Sequence, residues 1–292
     1  MEENKLMSKF IFSGFADEAG SELETQIKVL KETGIENVEL RNVNRKNISA
    51  YTPEEAAELY KTLQENGISV SAVGSPIGKI KIEDDFEPHF EVFKNTIEVA
   101  KALNTKYIRM FSFHCPEGDY TPYEKEVFNR LEKFVKYAQG TGVTLLHENE
   151  KAIYGDMANR CLKIAEAFKG ELFLTFDPSN FVQCDQNTIE AFEMLKPYVR
   201  YMHFKDSTLS EIKATFDQGF DPKAMGDTHR LVGHGDGNFR YILKELDKMG
   251  YEGFCSLEPH IAMTSIYEGT PYERWVLAAK TAKELVKEVT GA

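Results

Sequence analysis

Short runs of apolar, β-branched and aromatic residues alternate along this chain with longer stretches in which apolar positions recur at helical spacing. Eight runs read as strands: residues 10–17 (FIFSGFAD), 37–43 (NVELRNV), 69–75 (SVSAVGS), 107–113 (YIRMFSF), 143–149 (VTLLHEN), 172–180 (LFLTFDPSN), 200–206 (RYMHFKD) and 253–260 (GFCSLEPH). Between them lie helical patterns. In ETQIKVLKETG, Ile27 and Leu30 share an apolar face and Gly34 supplies the C-terminal stop. TPEEAAELYKTLQENG and FRYILKELDKMG also end at glycine, and Thr52, Pro53 and Glu55 supply an N-cap, a first-turn proline and early negative charge. Parallel strands need crossover helices of this length, so eight strand–helix pairs predict an α/β fold, a single closed (β/α)8 barrel spanning residues 1–292 as one domain. A doubly wound open sheet is the rival. It more often uses about five or six strands, and the first run here is followed by ADEAG, not by a phosphate-binding GxGxxG.

In such barrels the chemistry sits at the carboxyl ends of the strands, so polar residues that close an apolar run are the informative ones. HENE, residues 147–150, closes the fifth run with an imidazole, two carboxylates and an amide. The fifth run ends at Glu148, the sixth at Asp177, the seventh at His203 and the eighth at Glu258. Three carboxylates and one imidazole at one mouth suit a divalent ion of intermediate hardness, Mn²⁺ first, with Mg²⁺, Co²⁺ or Zn²⁺ as alternatives. Without a cation, converging carboxylates in a partly desolvated pocket would repel one another, and some would have to protonate.

Composition narrows the partners. The chain has 292 residues, 42% of them hydrophobic, which is enough for a sizeable core, and no apolar stretch approaches the roughly 18 to 20 residues of a membrane span. Its first residues, MEENKLMSKFIFSGF, lack the basic start and long apolar core of a secretory signal. Cys115, Cys161, Cys184 and Cys255 form no CxxC pair and suit reduced thiols, so the expected location is the cytoplasm. The 35 Lys and Arg against 47 Asp and Glu give a formal charge of −12, which disfavours attraction to nucleic acid or anionic lipid. The expected partner is a small carbohydrate, and assembly into a homo-oligomer is left open.

The four strand-end groups in this order, together with SGFADE (13–18), DPSN (177–180), HFKD (203–206), VGHGDGNF (232–239) and SLEPH (256–260), resemble the xylose-isomerase-like TIM barrels, among them sugar-phosphate isomerases and ketose 3-epimerases. The resemblance covers nearly the whole chain and is unspecific for substrate. It implies that Glu148 and Glu258 both bind the metal and move a proton. In that chemistry a divalent ion stabilises an enediolate formed beside a carbonyl. Carboxylates on opposite faces of the carbon then give epimerisation, one shuttling group gives isomerisation, and loss of a β-substituent gives a lyase or dehydratase acting on a keto-sugar or cyclitol.

Further residues are candidates for substrate binding: Glu39 and Arg41 on one face of the second strand, Lys79, Arg109, His147, Asn180 and Lys205. His260 is a weaker one. The endonuclease-IV-like sister group, which cuts DNA with three zinc ions, is a second reading, because Asp227 and His229 in GDTHRLVGHGDGNF resemble its Asp-x-His segment. Against it stand Asn180 where that group has a histidine, a second strand ending in Glu-Leu-Arg, and the acidic charge. A sugar-binding barrel without catalysis is the third reading.

Overall fold

The first strand stops earlier than the apolar run that announces it. The computed structural model describes residues 9–116, 118–210, 212 and 226–291. In it, β1 spans Lys9–Gly14, and a single 3-10 turn, Ala16–Glu18, then lifts the acidic pair Asp17 and Glu18 onto the barrel rim. Seven more strands follow: β2 Asn37–Leu40, β3 Ser69–Gly74, β4 Tyr107–Met110, β5 Thr144–Glu148, β6 Leu172–Phe176, β7 Val199–Phe204 and β8 Glu252–Leu257. They are shorter than the apolar runs because the last residues of each run leave the ladder to build loops. Those loops carry the chemistry.

Among the described residues, eight helices of eight residues or more return the chain: α1 Leu23–Thr33, α2 Pro53–Glu65, α3 Phe86–Ala102, α4 Glu124–Ala138, α5 Ala158–Ala167, α6 Thr188–Leu195, α7 Phe239–Lys248 and α8 Pro271–Thr290. Local sequence explains their ends. Thr52 and Glu55 form a reciprocal capping box at α2, and Thr270 and Glu273 repeat it at α8. Gly34 closes α1 at φ 61°, a left-handed conformation that suits a residue without Cβ, and donates to Leu30 and Lys31 carbonyls.

Every ladder in the main sheet is parallel, in the order β1-β8-β7-β6-β5-β4-β3-β2. This is a single, nearly closed (β/α)8 barrel. Between β1 and β2 the described residues form no backbone ladder, and the Asn37 side-chain amide donates to the Phe12 carbonyl at 3.2 Å across the seam. Inside the barrel, Ala72, Leu146 and Tyr201 pack with Tyr107, Phe173 and Phe254. The buried Tyr201 hydroxyl is satisfied by Ser71 at 2.8 Å, and Ser71 meets Ser13 at 2.6 Å. Outside, Trp275 of α8 is 1% exposed and its indole N–H donates to the Phe15 carbonyl at 3.1 Å. Gly14 lets that ring approach, since a Cβ there would lie 2.8 Å from it. Truncating so buried a tryptophan costs on the order of 3–5 kcal/mol.

Candidate metal centre

Successive side chains of a strand alternate in direction, and HENE divides its four residues accordingly. His147 turns away from the barrel mouth, with its Nε2 2.9 Å from Ser112 Oγ, and Gly155 makes room for the ring, since a Cβ there would lie 2.3 Å from His147 Cε1. Burial pushes this imidazole down to about 4, so it is neutral. Glu148 points to the mouth. Asn149 exchanges two hydrogen bonds with Asp177, its amide donating to the Asp177 carbonyl at 2.9 Å and accepting from the Asp177 N–H at 3.0 Å. Glu150 returns to the mouth and meets Lys79 at 3.1 Å.

Glu148, Asp177, His203 and Glu258, all buried, each offer one donor atom, and the four atoms lie within 4.8 Å of one another. Ligands around an ion at roughly 2.0 to 2.4 Å are at most about 4 to 4.8 Å apart, so the set has the size of a coordination sphere. His203 Nδ1 stands 3.2 Å from Glu148 Oε1, 3.2 Å from Glu258 Oε2 and 3.6 Å from Asp177 Oδ2. Asp177 also caps the short helix Pro178–Gln183, where its Oδ1 accepts from the Asn180 N–H at 3.0 Å; its other oxygen, Oδ2, is fully buried and turned to His203 and Lys205. One carboxylate thus serves structure with one atom and faces the centre with the other. The residues present fit a divalent cation.

Neighbouring cationic side chains balance the charges of this cluster. Lys205 Nζ lies 2.7 Å from Asp177 Oδ2 and 3.1 Å from Glu258 Oε2. Arg109 Nε lies 3.0 Å from Glu148 Oε2, and the Arg109 Nη1 donates to the Ser75 carbonyl at 2.8 Å. Burial alone would raise the Glu148 carboxyl, but His203 and Arg109 outweigh it and bring it down to about 2. Glu258 is likewise held well below the carboxylate range, with Lys205 and His260 outweighing burial. Burial raises Asp177, partly offset by Lys205. Burial would lower His203, yet Glu148 and Glu39 raise it well above the ordinary histidine value.

A cavity of about 200 Å³ opens over this cluster, lined among others by Arg41, Lys79, Arg109, Glu148, Glu150 and Glu258. Of the residues expected to meet substrate, Arg41, Lys79 and Arg109 are on its wall. Glu39, His147, Asn180 and Lys205 are buried and engaged with other side chains of the barrel mouth. Glu39, 1% exposed, backs His203 Nε2 at 3.2 Å. Asn180 donates to Glu148 Oε1 at 3.1 Å and to the Asn149 carbonyl at 2.8 Å. Glu39, Asn180 and Lys205 thus lie against donor residues of the cluster, where such neighbours hold a side chain in its orientation. Sequence reasoning missed Glu150 and Glu18. The two-residue period from Glu148 was the available signal for Glu150; Glu18 lies beyond its strand and had none.

Two motifs hold the mouth in shape. Asp206 of HFKD accepts four backbone N–H bonds, from Ser207, Gly233, Gly235 and Gly237, each 2.9 Å, so it anchors the VGHGDGNF loop. A Cβ at Gly235 or Gly237 would lie 2.5 or 2.7 Å from Asp206 Oδ1. Asp227 holds the Thr264–Ser265 turn, accepting from Thr264 Oγ1 at 2.9 Å and Ser265 Oγ at 2.6 Å.

The xylose isomerase-like TIM barrel family model matches residues 27–282, and the chain belongs to that family. Among curated proteins, a 3-dehydroshikimate dehydratase of Bacillus anthracis is 20% identical over 231 residues, covering 78% of this chain and 81% of that one. A D-tagatose 3-epimerase-like protein has the same fold, with a TM-score of 0.71 at 18% identity over 97% of this chain and 98% of that one. The IOLI protein, solved with a zinc atom, has a TM-score of 0.72 at 15% identity over 96% and 99% of the two chains. A xylose isomerase-like TIM barrel protein from Mycobacterium smegmatis, solved in complex with magnesium, has a TM-score of 0.67 at 16% identity over 91% of this chain and 87% of that one.

Proposed function

We propose that this protein is a divalent-metal-dependent isomerase or epimerase of a sugar, keto-sugar or sugar phosphate, working through an enediolate. The observation that carries this reading is the pair Glu148 and Glu258: they reach one cavity from β5 and β8 and share the donor cluster with Asp177 and His203. Glu148, Asp177, His203 and Glu258 would hold a divalent ion, Mn²⁺ by the balance of three oxygen donors and one nitrogen, which would supply the Lewis acidity that makes a proton beside a carbonyl removable. The chain does the rest. Both carboxyls are ionised at neutral pH, so each begins as a proton acceptor. Arg41 and Lys79 offer N–H groups to substrate oxygens from the wall, and Arg109 holds Glu148 in place. The barrel works on a small carbohydrate in the cytoplasm, without nucleic acid or membrane partners. No helix of the described residues is long and apolar enough to cross a membrane.

The test is deuterium uptake from heavy water by a panel of ketoses and keto-cyclitols with Mn²⁺-loaded protein. Uptake at a carbon next to the carbonyl is expected, and no uptake across the panel overturns the reading. A dehydratase is the second reading, favoured by the dehydratase of Bacillus anthracis among its relatives. It predicts that substrate disappears with release of water and gain of an unsaturated product absorbing in the ultraviolet.

A further inference from the structure

SGFADE and SLEPH meet at the rim, and the proposed proton transfer uses only Glu258 from them. Glu18, at the end of β1, grips His260, just past β8, with both carboxylate oxygens: Oε2 accepts the His260 backbone N–H at 2.8 Å, and Oε1 lies 2.6 Å from the ring Nδ1. His260 pays for this grip with a left-handed backbone, φ 52°, unusual for a residue with a Cβ. Strain of this kind persists only where surrounding contacts enforce it.

The grip decides where the ring points. With Nδ1 committed to Glu18, Nε2 is the free ring atom. It makes no hydrogen bond among the described residues, lies 3.7 Å from Glu258 Oε1 and belongs to a side chain that lines the cavity. Glu18 is 7% exposed at its side chain and also meets Arg41 at 3.3 Å. Glu258 divides its oxygens in the same way: Oε2 faces His203 and Lys205, and Oε1 faces Arg41 at 3.2 Å and the His260 ring. The rim beside Glu258 therefore carries a polar ring nitrogen aimed at the cavity, separate from the four donor atoms of the metal cluster.

We propose that Glu18 and His260 form an orienting dyad in which Glu18 fixes the imidazole through Nδ1, and Nε2 hydrogen-bonds a hydroxyl of the substrate at the carbon next to the one worked on by Glu258. The inference rests on the carbohydrate reading given above and names a specificity determinant within it: a substrate must carry a hydroxyl at that carbon. Arg41 is not displaced by loss of Glu18, because Asp17 holds it twice, at 3.0 and 3.1 Å. Variants at Glu18 thus report on His260.

The experiment has two arms. In the first, without substrate, proton NMR of the whole protein follows the Nδ1–H. A carboxylate-bound imidazole N–H gives a downfield resonance protected from exchange, expected in the wild type, absent in Glu18→Ala and retained in weakened form in Glu18→Gln, whose amide oxygen still accepts. A resonance that is missing from the wild type, or unchanged in Glu18→Ala, overturns the dyad. In the second arm, His260→Ala and Glu18→Ala are assayed with whichever panel compound takes up deuterium, and Mn²⁺ affinity is measured by calorimetry. KM is expected to rise roughly tenfold, with Mn²⁺ affinity within about twofold of wild type, and the effect is expected to vanish with the analogue lacking the neighbouring hydroxyl. An unchanged KM in His260→Ala overturns the proposal. If no panel compound reacts, the carbohydrate reading falls, and the dyad stands or falls on the resonance alone.

Discussion

Asn149 and Asp177 hold each other across the gap between β5 and β6 by two backbone-to-side-chain hydrogen bonds, at 2.9 and 3.0 Å. The amide that follows one ligand of the cluster thereby fixes the backbone of the next. Replacing Asn149 with Ala strands a buried carbonyl and a buried N–H, each costing about 1–3 kcal/mol. Urea unfolding of the metal-free protein is expected to show a loss of about 2–6 kcal/mol for the two groups together, and an unchanged midpoint would show that the pair does not carry load.

Asp177→Asn keeps the shape of the side chain and the cap on the Asn180 N–H but removes a charge from the cluster. Metal affinity is expected to fall by more than tenfold, with the denaturation midpoint of the metal-free protein little altered or slightly raised, since burial opposes the charge at this position. Calorimetric titration with Mn²⁺ beside a denaturant curve checks both halves.

His203 makes metal binding depend on pH. In the metal-free protein its folded-state pKa lies well above the roughly 6.5 of the unfolded chain, so protonation stabilises the fold below the unfolded value, and that stabilisation is lost as pH rises through the raised folded value. A cation needs the bare Nδ1, so binding must expel that proton. Affinity for Mn²⁺ is expected to rise about tenfold per pH unit up to the folded-state value, with a proton released to the buffer. Calorimetry in buffers of different ionisation enthalpy measures this, and no proton release would overturn it.

Glu148 and Glu258 enter the cavity from strands three places apart. Glu258→Gln in metal-loaded protein is expected to lose about 10² to 10⁴-fold in turnover. Hydrogen–deuterium exchange at the substrate carbon separates the roles: exchange surviving at wild-type rate in both Glu148→Gln and Glu258→Gln would exclude the pair as bases and direct attention to Glu150.

Asp206 satisfies four N–H groups, so Asp206→Ala orphans all of them. Removing it is expected to cost about 3 kcal/mol or more and to expose the loop at residues 232–238 to limited proteolysis. Cleavage sites mapped by mass spectrometry provide the check.

Much of this was legible in the sequence, for identifiable reasons. Eight apolar runs separated by capped helical patterns define the barrel, and the four runs ending at Glu148, Asp177, His203 and Glu258 bring their donors to one mouth because parallel strands share a direction. What the pattern could not give is which polar neighbours look into the cavity. Glu39 and Arg41 share a face of the second strand, yet Glu39 is still inside the ladder, behind His203, while Arg41 is past its end and free to reach the rim. Lys205 follows His203 by two residues and is drawn inward by Asp177 and Glu258. The dyad of Glu18 with His260 joins residues 242 positions apart in sequence, a distance over which strand and helix periodicity carry no information.

The seam between β1 and β2 is the junction of the barrel that has no main-chain ladder among the described residues. Seven junctions are zipped by main-chain ladders, but this one is held by side chains: Asn37 to the Phe12 carbonyl lower down, and Arg41 and Asn42 to Asp17 at the rim, at 3.0 and 2.9 Å. Arg41 also reaches Glu258 and lines the cavity, so a ligand that recruits this guanidinium pulls on the clasp that keeps the cylinder shut. Occupancy of the cavity is therefore expected to alter opening at this seam, and hydrogen exchange at the amide protons of β1 and β2, compared with and without ligand, is the measurement that registers it.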